Sequence, residues 1–399
     1  MQTKTNYFAL VALTALFFVI GFITVLKDIL VPHLKDIFEL NYFEATLVQF
    51  CFFSAYFITG GFFGKLLEKV GYPTGIILGF ILTAIGCVLF YPAASMASYP
   101  IFLGALFILA SGIVLLQTTG NPFVTLLAPG KESTALTLVQ AFNSLGTTLG
   151  PLFGAAFILS DTTKYANKME EAQSVQMPYL SIAGALIILA VVMYLLKLPD
   201  VREKTEKISD ENHDGKASLF QYSHFVLGAI AIFFYVGAEV AIGSFLISTM
   251  SNYAGIEGKI GAEYVAFYWG GIMIGRFVGS FIMTKIAPNK CLAFNAIVSI
   301  CLIILAILFG GKIAMVSLLA IGLFNSIMFP SIFSLATKNL GKFTSQASGF
   351  ISMAIVGGAI IPQVQSLVAD NISLLFSYII PLICYIYIFF FAFKGYKIK

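Results

Sequence analysis

Charged side chains are scarce in this sequence. Asp, Glu, Lys and Arg make up 11% of its 399 residues, whereas about a quarter of the residues in a soluble domain are charged. The mean hydropathy is +0.94, and 59% of the residues are hydrophobic. A soluble fold with a very large core is excluded, because too little polar surface remains to wrap it. The composition, with 40 Phe and 35 Gly, predicts an integral membrane protein.

Residue patterns that bind metals or perform catalysis are also missing. The five cysteines stand singly in apolar segments, without a Cys-x-x-Cys or Cys/His spacing, so neither disulfides nor a metal site is indicated. The sequence contains no nucleophile elbow and no paired-carboxylate motif, which disfavours a membrane enzyme. The formal net charge of +4 is too small and too dispersed for a nucleic-acid partner. We therefore predict no cofactor beyond a coupling ion.

Long apolar runs recur along the whole chain. The first run, from Tyr7 to Leu26, has the length of about 20 residues that crosses a bilayer, and no small-residue cleavage site follows it. It therefore predicts a transmembrane helix and no cleavable signal peptide. Twelve such spans are predicted, and the class is an all-α integral membrane protein. The predicted spans are 7–33, 44–64, 74–93, 100–127, 134–160, 178–197, 223–249, 263–284, 291–310, 313–336, 345–368 and 374–394.

One polar segment divides the twelve spans into two groups of six. The stretch PDVREKTEKISDENHDGKAS, residues 199–218, is long, highly charged and poor in apolar residues, which is typical of a flexible linker. The predicted organisation is an N-terminal six-helix half at 1–198, a linker at 199–221 and a C-terminal six-helix half at 222–399.

The distribution of basic residues predicts the orientation. With the N-terminus in the cytoplasm, sixteen Lys and Arg residues fall on the inner side and six on the outer side. This bias satisfies the positive-inside rule. Both termini and the linker are predicted to be cytoplasmic, in a multi-pass protein of the inner (plasma) membrane.

The two halves resemble each other in sequence. ALFFVIG at 15–21 matches AIFFYVG at 231–237, and the pair Gly146 and Pro151 matches Gly357 and Pro362 at the same spacing. Two parallel six-helix repeats with a cytoplasmic linker resemble the layout of the major facilitator superfamily. The stretch GKLLEKVGY also resembles the signature loop of that superfamily. A structural or gating role is therefore expected for the loop residues Gly64, Glu68, Lys69 and Gly71.

Few ionisable residues lie within the predicted spans. Each would cost roughly 2.5–3.5 kcal/mol at the centre of an inserted helix, so each is a functional candidate. Asp28 follows Lys27 in FITVLKDILVP. Either the first span ends near Leu26 and both charges are interfacial, or the span continues and Asp28 faces the bundle while Lys27 snorkels outward.

Glu239 and Arg276 are the other two candidates in the spans. Glu239 lies deep in the seventh span, with Tyr235 one turn away. It is either a cation-coupling group or a structural carboxylate that pairs with Arg276. Arg276 lies nearer the cytoplasmic end of the eighth span, so an architectural role is favoured over a substrate contact.

Uncharged polar residues form stripes on several spans. They could be glue between helices, worth around 0.6 kcal/mol for each hydrogen bond. Several amides that converge with aromatic rings would instead suit a neutral polyhydroxylated ligand, whose C–H faces stack on the rings. Trp269, the only tryptophan, is a stacking candidate, although it could equally be a packing residue. The candidate substrate-binding residues are Gln49, Gln117, Asn121, Gln140, Asn143, Asn325, Phe329 and Trp269.

Longer motifs resemble one family of sugar transporters. KDILVPHL, YFEATLVQFCFFSAYF, LLQTTGNPFVTLL and VQAFNSLGTTLGP, with FFYVGAEVAIGSF, PNKCLAFNA and FPSIFSLATKNLG in the second half, are similar to the fucose permease family of sugar:cation symporters. The similarity is greatest to its glucose/galactose branch and covers nearly the whole chain.

The resemblance implies roles for individual residues, and this sequence also differs from the family's usual residues at four positions. It implies that Asp28 couples the cation to the sugar, and that Gln140 and Asn143 contact the sugar. Proton-coupled fucose permeases have a second carboxylate where this chain has Gln117, and typically a glutamine where it has Glu239. Phe329 stands at a position that is often tyrosine, and Val25 at one held by asparagine.

The expected function is secondary active uptake of a hexose, glucose or galactose, by symport with H⁺ or Na⁺. The two halves would alternate access to a site between them. An L-fucose:proton symporter and a drug:proton antiporter are the alternatives. The expected partners are a monosaccharide and the lipid bilayer, and the protein is expected to be monomeric.

Overall fold

The computed structural model describes residues 6–39, 42–157, 173, 175–201, 218–256 and 258–398. This part of the chain is nearly all helical, which confirms the predicted class. The first six helices are α1 (Tyr7–Phe38), α2 (Tyr42–Val70), α3 (Tyr72–Ser95), α4 (Tyr99–Leu127), α5 (Glu132–Phe157) and α6 (Gln176–Leu195). Most of the predicted linker, residues 202–217, lies outside the described residues, so the division into halves stays a prediction.

Six further helical units follow, and two of them are broken. They are α7 (Ser223–Ala254), α8 (Gly258–Ile282), α9 (Pro288–Phe309), α10a (Gly311–Asn325), α10b (Met328–Ala336), α11a (Thr344–Ala354), α11b (Gly357–Asn371) and α12 (Ile379–Phe390). A single π-helical turn, Phe391–Gly395, extends α12.

Eleven of these helical units are long and apolar enough to cross a membrane. The remaining unit, α5, has 26 residues and holds Gln140, Asn143, Ser144, Thr147 and Thr148 within four turns. These polar residues lower its hydropathy. α5, the fifth predicted span, is therefore a helix whose polar side chains have partners inside the protein.

The first helix does not end at Leu26. Its backbone stays helical through Lys27 and Asp28 as far as Phe38, although the apolar window ends at Leu26. The side chains of residues 27–37 lie outside the described part of the structure. The role predicted for Asp28 therefore stays a prediction.

Glycines allow the helices of each half to pack closely. A Cβ added to Gly146 on α5 would lie 2.2 Å from the carbonyl oxygen of Phe18 on α1. A Cβ added to Gly357 on α11b would lie 2.0 Å from the carbonyl oxygen of Phe233 on α7. The two glycines match in the internal repeat, and both press against the first helix of their own half. The similarity in sequence therefore extends to the packing.

The break in α10 follows from Pro330, which lies in the first turn of α10b. Proline has no N–H to donate to the carbonyl of the residue four positions earlier, here Ser326, and its ring clashes with that carbonyl. Freed carbonyls inside a bilayer need partners from within the protein. Side chains provide them. Leu323 O accepts from Ser326 Oγ (2.6 Å) and Phe324 O from Asn295 Nδ2 (2.9 Å). Asn325 O accepts from Tyr235 Oη (3.2 Å) and Ser326 O from Arg276 Nε (3.3 Å).

The first six helices meet the last six mainly at one end of the bundle. We call this end the linker end. Helices α2, α4 and α10b finish there, and α3, α5 and α11a begin there. The opposite end is called the far end. Hydrogen bonds between hydroxyl groups join the halves there. The pairs are Tyr72 with Ser345 (2.9 Å), Thr118 with Ser352 (2.8 Å) and Ser133 with Ser334. The halves are thus closed against each other at the linker end.

Backbone contacts reinforce this closure. A Cβ added to Gly64 on α2 would lie 2.9 Å from the carbonyl oxygen of Ser345 on α11a. A Cβ added to Gly349 would lie 2.5 Å from the carbonyl oxygen of Gly60. Helices α2 and α11a therefore approach as closely as their backbones allow, and larger residues at these positions would separate them.

We predict that Gly349→Val forces the halves apart at the linker end. The reporter is Thr118→Cys, in a chain whose own cysteines are replaced, because Thr118 is fully buried where the halves meet. Its labelling by a membrane-permeant maleimide should become several-fold faster. In the control, Gly104→Val, the labelling rate should not change, since a Cβ at Gly104 meets nothing within 4 Å. Equal labelling rates in the two variants would contradict the prediction.

Candidate functional site

Two amides meet between α4 and α5 in the first half. Gln140 Nε2 donates to Asn121 Oδ1 at 3.2 Å, and both side chains are buried. Asn143, one turn beyond Gln140, is half-buried and donates from Nδ2 to the carbonyl oxygen of Phe17 on α1 at 3.0 Å. The structure thus brings together three of the predicted sugar contacts, each in a fixed orientation.

Gln117 differs from its neighbours. It lies one turn before Asn121 on α4 and is half-buried. It makes no hydrogen bond with any residue that the structure describes. Its amide therefore keeps a donor and an acceptor for a ligand, unlike the paired amides of Asn121 and Gln140.

A second polar cluster, which we call the tyrosine cluster, lies among α7, α8, α10a and α12. It consists of Tyr235, Glu239, Tyr268, Asn325 and Tyr385. Tyr385 Oη donates to Asn325 Oδ1 (2.6 Å), and Asn325 Nδ2 donates to Tyr268 Oη (2.8 Å). Tyr268 Oη donates to the carbonyl oxygen of Glu239 (3.1 Å). These three hydrogen bonds hold the side chains of Tyr385, Asn325 and Tyr268 in place.

Asn325 occupies the centre of the tyrosine cluster. It was predicted as a sugar contact at the position equivalent to Gln117, yet it is 0% exposed. Both its Oδ1 and its Nδ2 are engaged by tyrosine hydroxyls. The two equivalent amides therefore have opposite environments, one accessible and one enclosed.

The carboxylate of Glu239 is held by a tyrosine. Tyr235 Oη donates to Glu239 Oε1 at 2.6 Å. Glu239 is half-buried and forms no ion pair with Arg276, although their charges interact. The direct pairing with Arg276 that the sequence left open is therefore absent among the described contacts.

Arg276 joins the two halves. It is buried on α8, and its Nη1 donates to the carbonyl oxygen of Gln140 (3.0 Å) and to Ser144 Oγ (2.5 Å) on α5. Its Nε donates to the carbonyl oxygen of Ser326, freed by the break in α10. A cation on one half is thus held by neutral acceptors on both halves. The architectural role of Arg276 stays a prediction.

The remaining predicted contacts are Gln49, Trp269 and Phe329, and the two aromatic residues pack against Tyr268 and Tyr235 of the tyrosine cluster. Gln49 is half-buried on α2. Trp269 is 45% exposed and packs edge-on against Tyr268, with ring centroids 5.2 Å apart. Phe329 is buried and stacks on Phe333. Aromatic rings therefore border the tyrosine cluster, while the side chain of Asp28 lies outside the described residues.

A family model described as Major Facilitator Superfamily matches residues 9–363. The chain belongs to this superfamily. The match confirms the expected fold and makes the protein a multi-pass membrane protein.

Relatives within the superfamily carry the names of transporters. A Helicobacter pylori (strain J99) protein, provisionally named a glucose/galactose transporter, is 61% identical over 100% of this chain and 99% of its own length. The glucose/galactose transporter of Brucella abortus is 53% identical over 99% and 96%. The L-fucose-proton symporter of Escherichia coli K12 is 35% identical over 98% and 94%. These names confirm the prediction of a transporter over an enzyme.

A solved structure of the superfamily gives the same result for the fold. The crystal structure of FucP in the outward conformation superimposes with a TM-score of 0.85 at 33% identity, and covers 96% of this chain and 97% of that one. The predicted resemblance to the fucose permease family is therefore confirmed.

The superfamily's signature loop lies at the linker end. Gly71 has a φ of 78°, in the left-handed region that favours glycine, and precedes the first residue of α3. Glu68 is hydrogen-bonded to the side chain of Gln346 on α11a, and Lys69 is exposed. With Gly64 pressed against Ser345, the loop contacts the other half. These contacts would break when the linker end opens.

Three site residues were missed by the sequence reasoning. Ser144, Tyr268 and Tyr385 hold Arg276 or Asn325. The two tyrosines stand in apolar contexts, where packing is the ordinary interpretation. The spacing of Ser144, one turn from Gln140, was the only pattern that could have indicated it. The tyrosines offered none, because 18 tyrosines are spread along the chain.

We predict that Arg276→Gln and Ser144→Ala are energetically coupled. A hydrogen bond to a charged group contributes about 1.5–3 kcal/mol, so thermal unfolding in detergent should give a coupling of at least about 1 kcal/mol. As the control, Ser280→Ala removes a hydroxyl one turn from Arg276 that donates to Phe277 O. Ser280→Ala should be additive with Arg276→Gln. Additivity in both pairs would mean that the Arg276–Ser144 contact contributes nothing.

Proposed function

We propose that this protein takes up a hexose, glucose or galactose, by symport with H⁺ or Na⁺. The names of relatives that are 53–61% identical over nearly the whole chain support this substrate class. The proposal treats the protein as a monomer in the inner (plasma) membrane, with both termini and the linker in the cytoplasm. The distribution of basic residues supports this orientation.

One observation carries the proposal. Gln117, Asn121, Gln140 and Asn143 place four amides on adjacent turns of α4 and α5, and the amide of Gln117 has no partner among the described residues. Amides donate and accept together, as the hydroxyl groups of a sugar do. Arg276 contacts Gln140 from the other half and interacts with Glu239. Sugar-binding groups and a carboxylate therefore lie on two sides of one interface between the halves.

The proposed cycle begins in the state seen here. With the linker in the cytoplasm, closure at the linker end corresponds to an outward-open transporter. Asp28 and Glu239 are each neutralised by a cation of their own, and the sugar binds among Gln117, Gln140 and Asn143. Burying an unneutralised carboxylate would be costly, so only the loaded protein closes around the site. The halves then rock, and the contacts at the linker end break.

An L-fucose:proton symporter is the second candidate. The 35% identity to the Escherichia coli L-fucose-proton symporter supports it, but two positions argue for a different arrangement of charge. Gln117 cannot titrate, and Glu239 adds a carboxylate to the opposite half. A drug:proton antiporter has less support, because the amides would suit an apolar substrate poorly.

The proposal is tested by labelled-glucose uptake in proteoliposomes. Proton and sodium gradients are imposed separately, and unlabelled glucose, galactose and L-fucose compete. We expect accumulation under one of the two gradients, with competition by glucose and galactose. Accumulation that L-fucose alone suppresses would favour the second candidate, and the absence of any sugar uptake would refute both.

We predict that Asp28→Asn abolishes concentrative uptake but leaves sugar exchange. Asparagine cannot bind or release a proton and carries no charge for a cation, so the gradient no longer drives transport. Counterflow, which needs only binding and rocking, should persist. Unimpaired accumulation in this variant would remove Asp28 from the coupling mechanism.

We predict that Gln140→Ala and Asn143→Ala each raise the KM for the sugar at least about tenfold, as expected for the loss of one or two hydrogen bonds to a ligand. The matched control is Asn371→Ala, since Asn371 is exposed on α11b and its amide donates only to the carbonyl oxygen of Leu367. Its KM should equal that of the wild type. A change confined to the maximal rate in all three variants would argue against sugar contacts.

A further inference from the structure

Tyr235 has two acceptors for one proton. Its hydroxyl oxygen lies 2.6 Å from Glu239 Oε1 and 3.2 Å from the carbonyl oxygen of Asn325. A phenol has a single O–H and can also accept a hydrogen bond. When Glu239 is ionised, the hydroxyl donates to its Oε1, the nearer of the two acceptors.

The second acceptor gives the hydroxyl another arrangement. If Glu239 takes up a proton, its own O–H can donate to Tyr235 Oη. The proton of Tyr235 then rotates to the carbonyl oxygen of Asn325. Both forms of Glu239 are hydrogen-bonded in this way, and no heavy atom has to move.

The acceptor at Asn325 is available because of the break in α10. Asn325 is the last residue of α10a, and the last carbonyls of a helix have no partner within it. Its side chain is fixed by Tyr268 and Tyr385, which keeps the backbone oxygen in place. Tyr235 itself is 1% exposed, so its hydroxyl has these two protein acceptors in place of water.

The surrounding groups determine which cation this site suits. The titratable or charged groups that interact with Glu239 or Tyr235 are Arg276 and Tyr268 on α8 and Tyr385 on α12. Arg276 is the charged one, and it is held by the neutral acceptors Ser144 Oγ and Gln140 O. Its positive charge opposes the uptake of either cation at Glu239, so the choice between them depends on the ligands that each cation needs. A proton cancels the carboxylate charge covalently and needs no ring of oxygen ligands.

We infer that Glu239 is the proton-binding carboxyl of the C-terminal half, and that Tyr235 is the positioning residue that stabilises it both as acid and as anion. The inference rests on the proposed function and assigns the proton to this site. Water is the source and the acceptor of that proton, because Glu239 is half-buried while Tyr235 is enclosed. Proton binding would thus change the hydrogen bonds of α10a, which also meets Arg276 at the interface between the halves.

The experiment compares Tyr235→Phe, Glu239→Gln and the control Tyr378→Phe in proteoliposomes. Tyr378 is a fully buried tyrosine whose hydroxyl bonds to Thr249 at 2.8 Å, away from the tyrosine cluster. Uptake driven by a proton gradient is measured against pH, and counterflow reports sugar binding. Melting temperatures in detergent check that each variant folds.

Three results are expected. Tyr235→Phe keeps counterflow, but the pH at which driven uptake is half-maximal moves upward by up to about one unit, because a charged hydrogen bond is roughly twice as strong as the neutral bond that replaces it. Glu239→Gln keeps counterflow, because its amide can donate to Tyr235, and loses this pH dependence. Tyr378→Phe behaves as the wild type.

A readout without sugar separates this inference from the proposed function. Infrared difference spectra of the purified protein should contain a carboxyl C=O band that titrates with pH, is absent in Glu239→Gln and shifts in Tyr235→Phe. If the band titrates with pH and responds to both substitutions as expected while no hexose is transported, the proposed function is wrong but Glu239 is still a proton-binding site. If hexose uptake is normal and neither the band nor the pH profile changes in these variants, Glu239 is not a proton site.

Discussion

The carbonyl groups freed at the break in α10 are the constraint on which much of the second half depends. A bilayer offers no water to such groups, so they must be capped by donors from neighbouring helices. Tyr235 and Arg276 both serve this purpose, and both also reach the candidate site. The break in α10 thus explains why polar donors from two helices converge there, and Ser326 O, which Pro330 leaves without a backbone donor, is one of the acceptors that hold the Arg276 cation between the halves.

The two halves use equivalent positions differently. Gln117 and Asn325 match in the internal repeat, five residues before Pro122 and Pro330. The first amide is accessible and unpaired among the described residues, whereas the second is enclosed by tyrosines. Amides therefore dominate the N-terminal side of the interface, and hydroxyls with a carboxylate dominate the other.

Patterns along the chain were enough to predict the helices but not their breaks and partners. Apolar runs and the repeat predicted twelve spans, since insertion into lipid depends on local composition. The span predicted at 7–33 already ran past Leu26, as the helix does, but the pattern left open whether the charges at 27 and 28 are interfacial or face the bundle. Burial of Asn325 and the roles of Tyr268 and Tyr385 depend on contacts between distant helices, which no local pattern encodes.

The polar character of α5 has a consequence for how the protein is made. A helix with several amides and hydroxyls enters lipid poorly by itself, because each polar group needs a partner there. Gln140 and Asn143 find partners on α4 and α1, both synthesised earlier, whereas the hydroxyl of Ser144 meets Arg276 on α8. Membrane insertion of the fifth helix is therefore cooperative with the helices before it, and its remaining face stays uncovered until the eighth helix has left the ribosome.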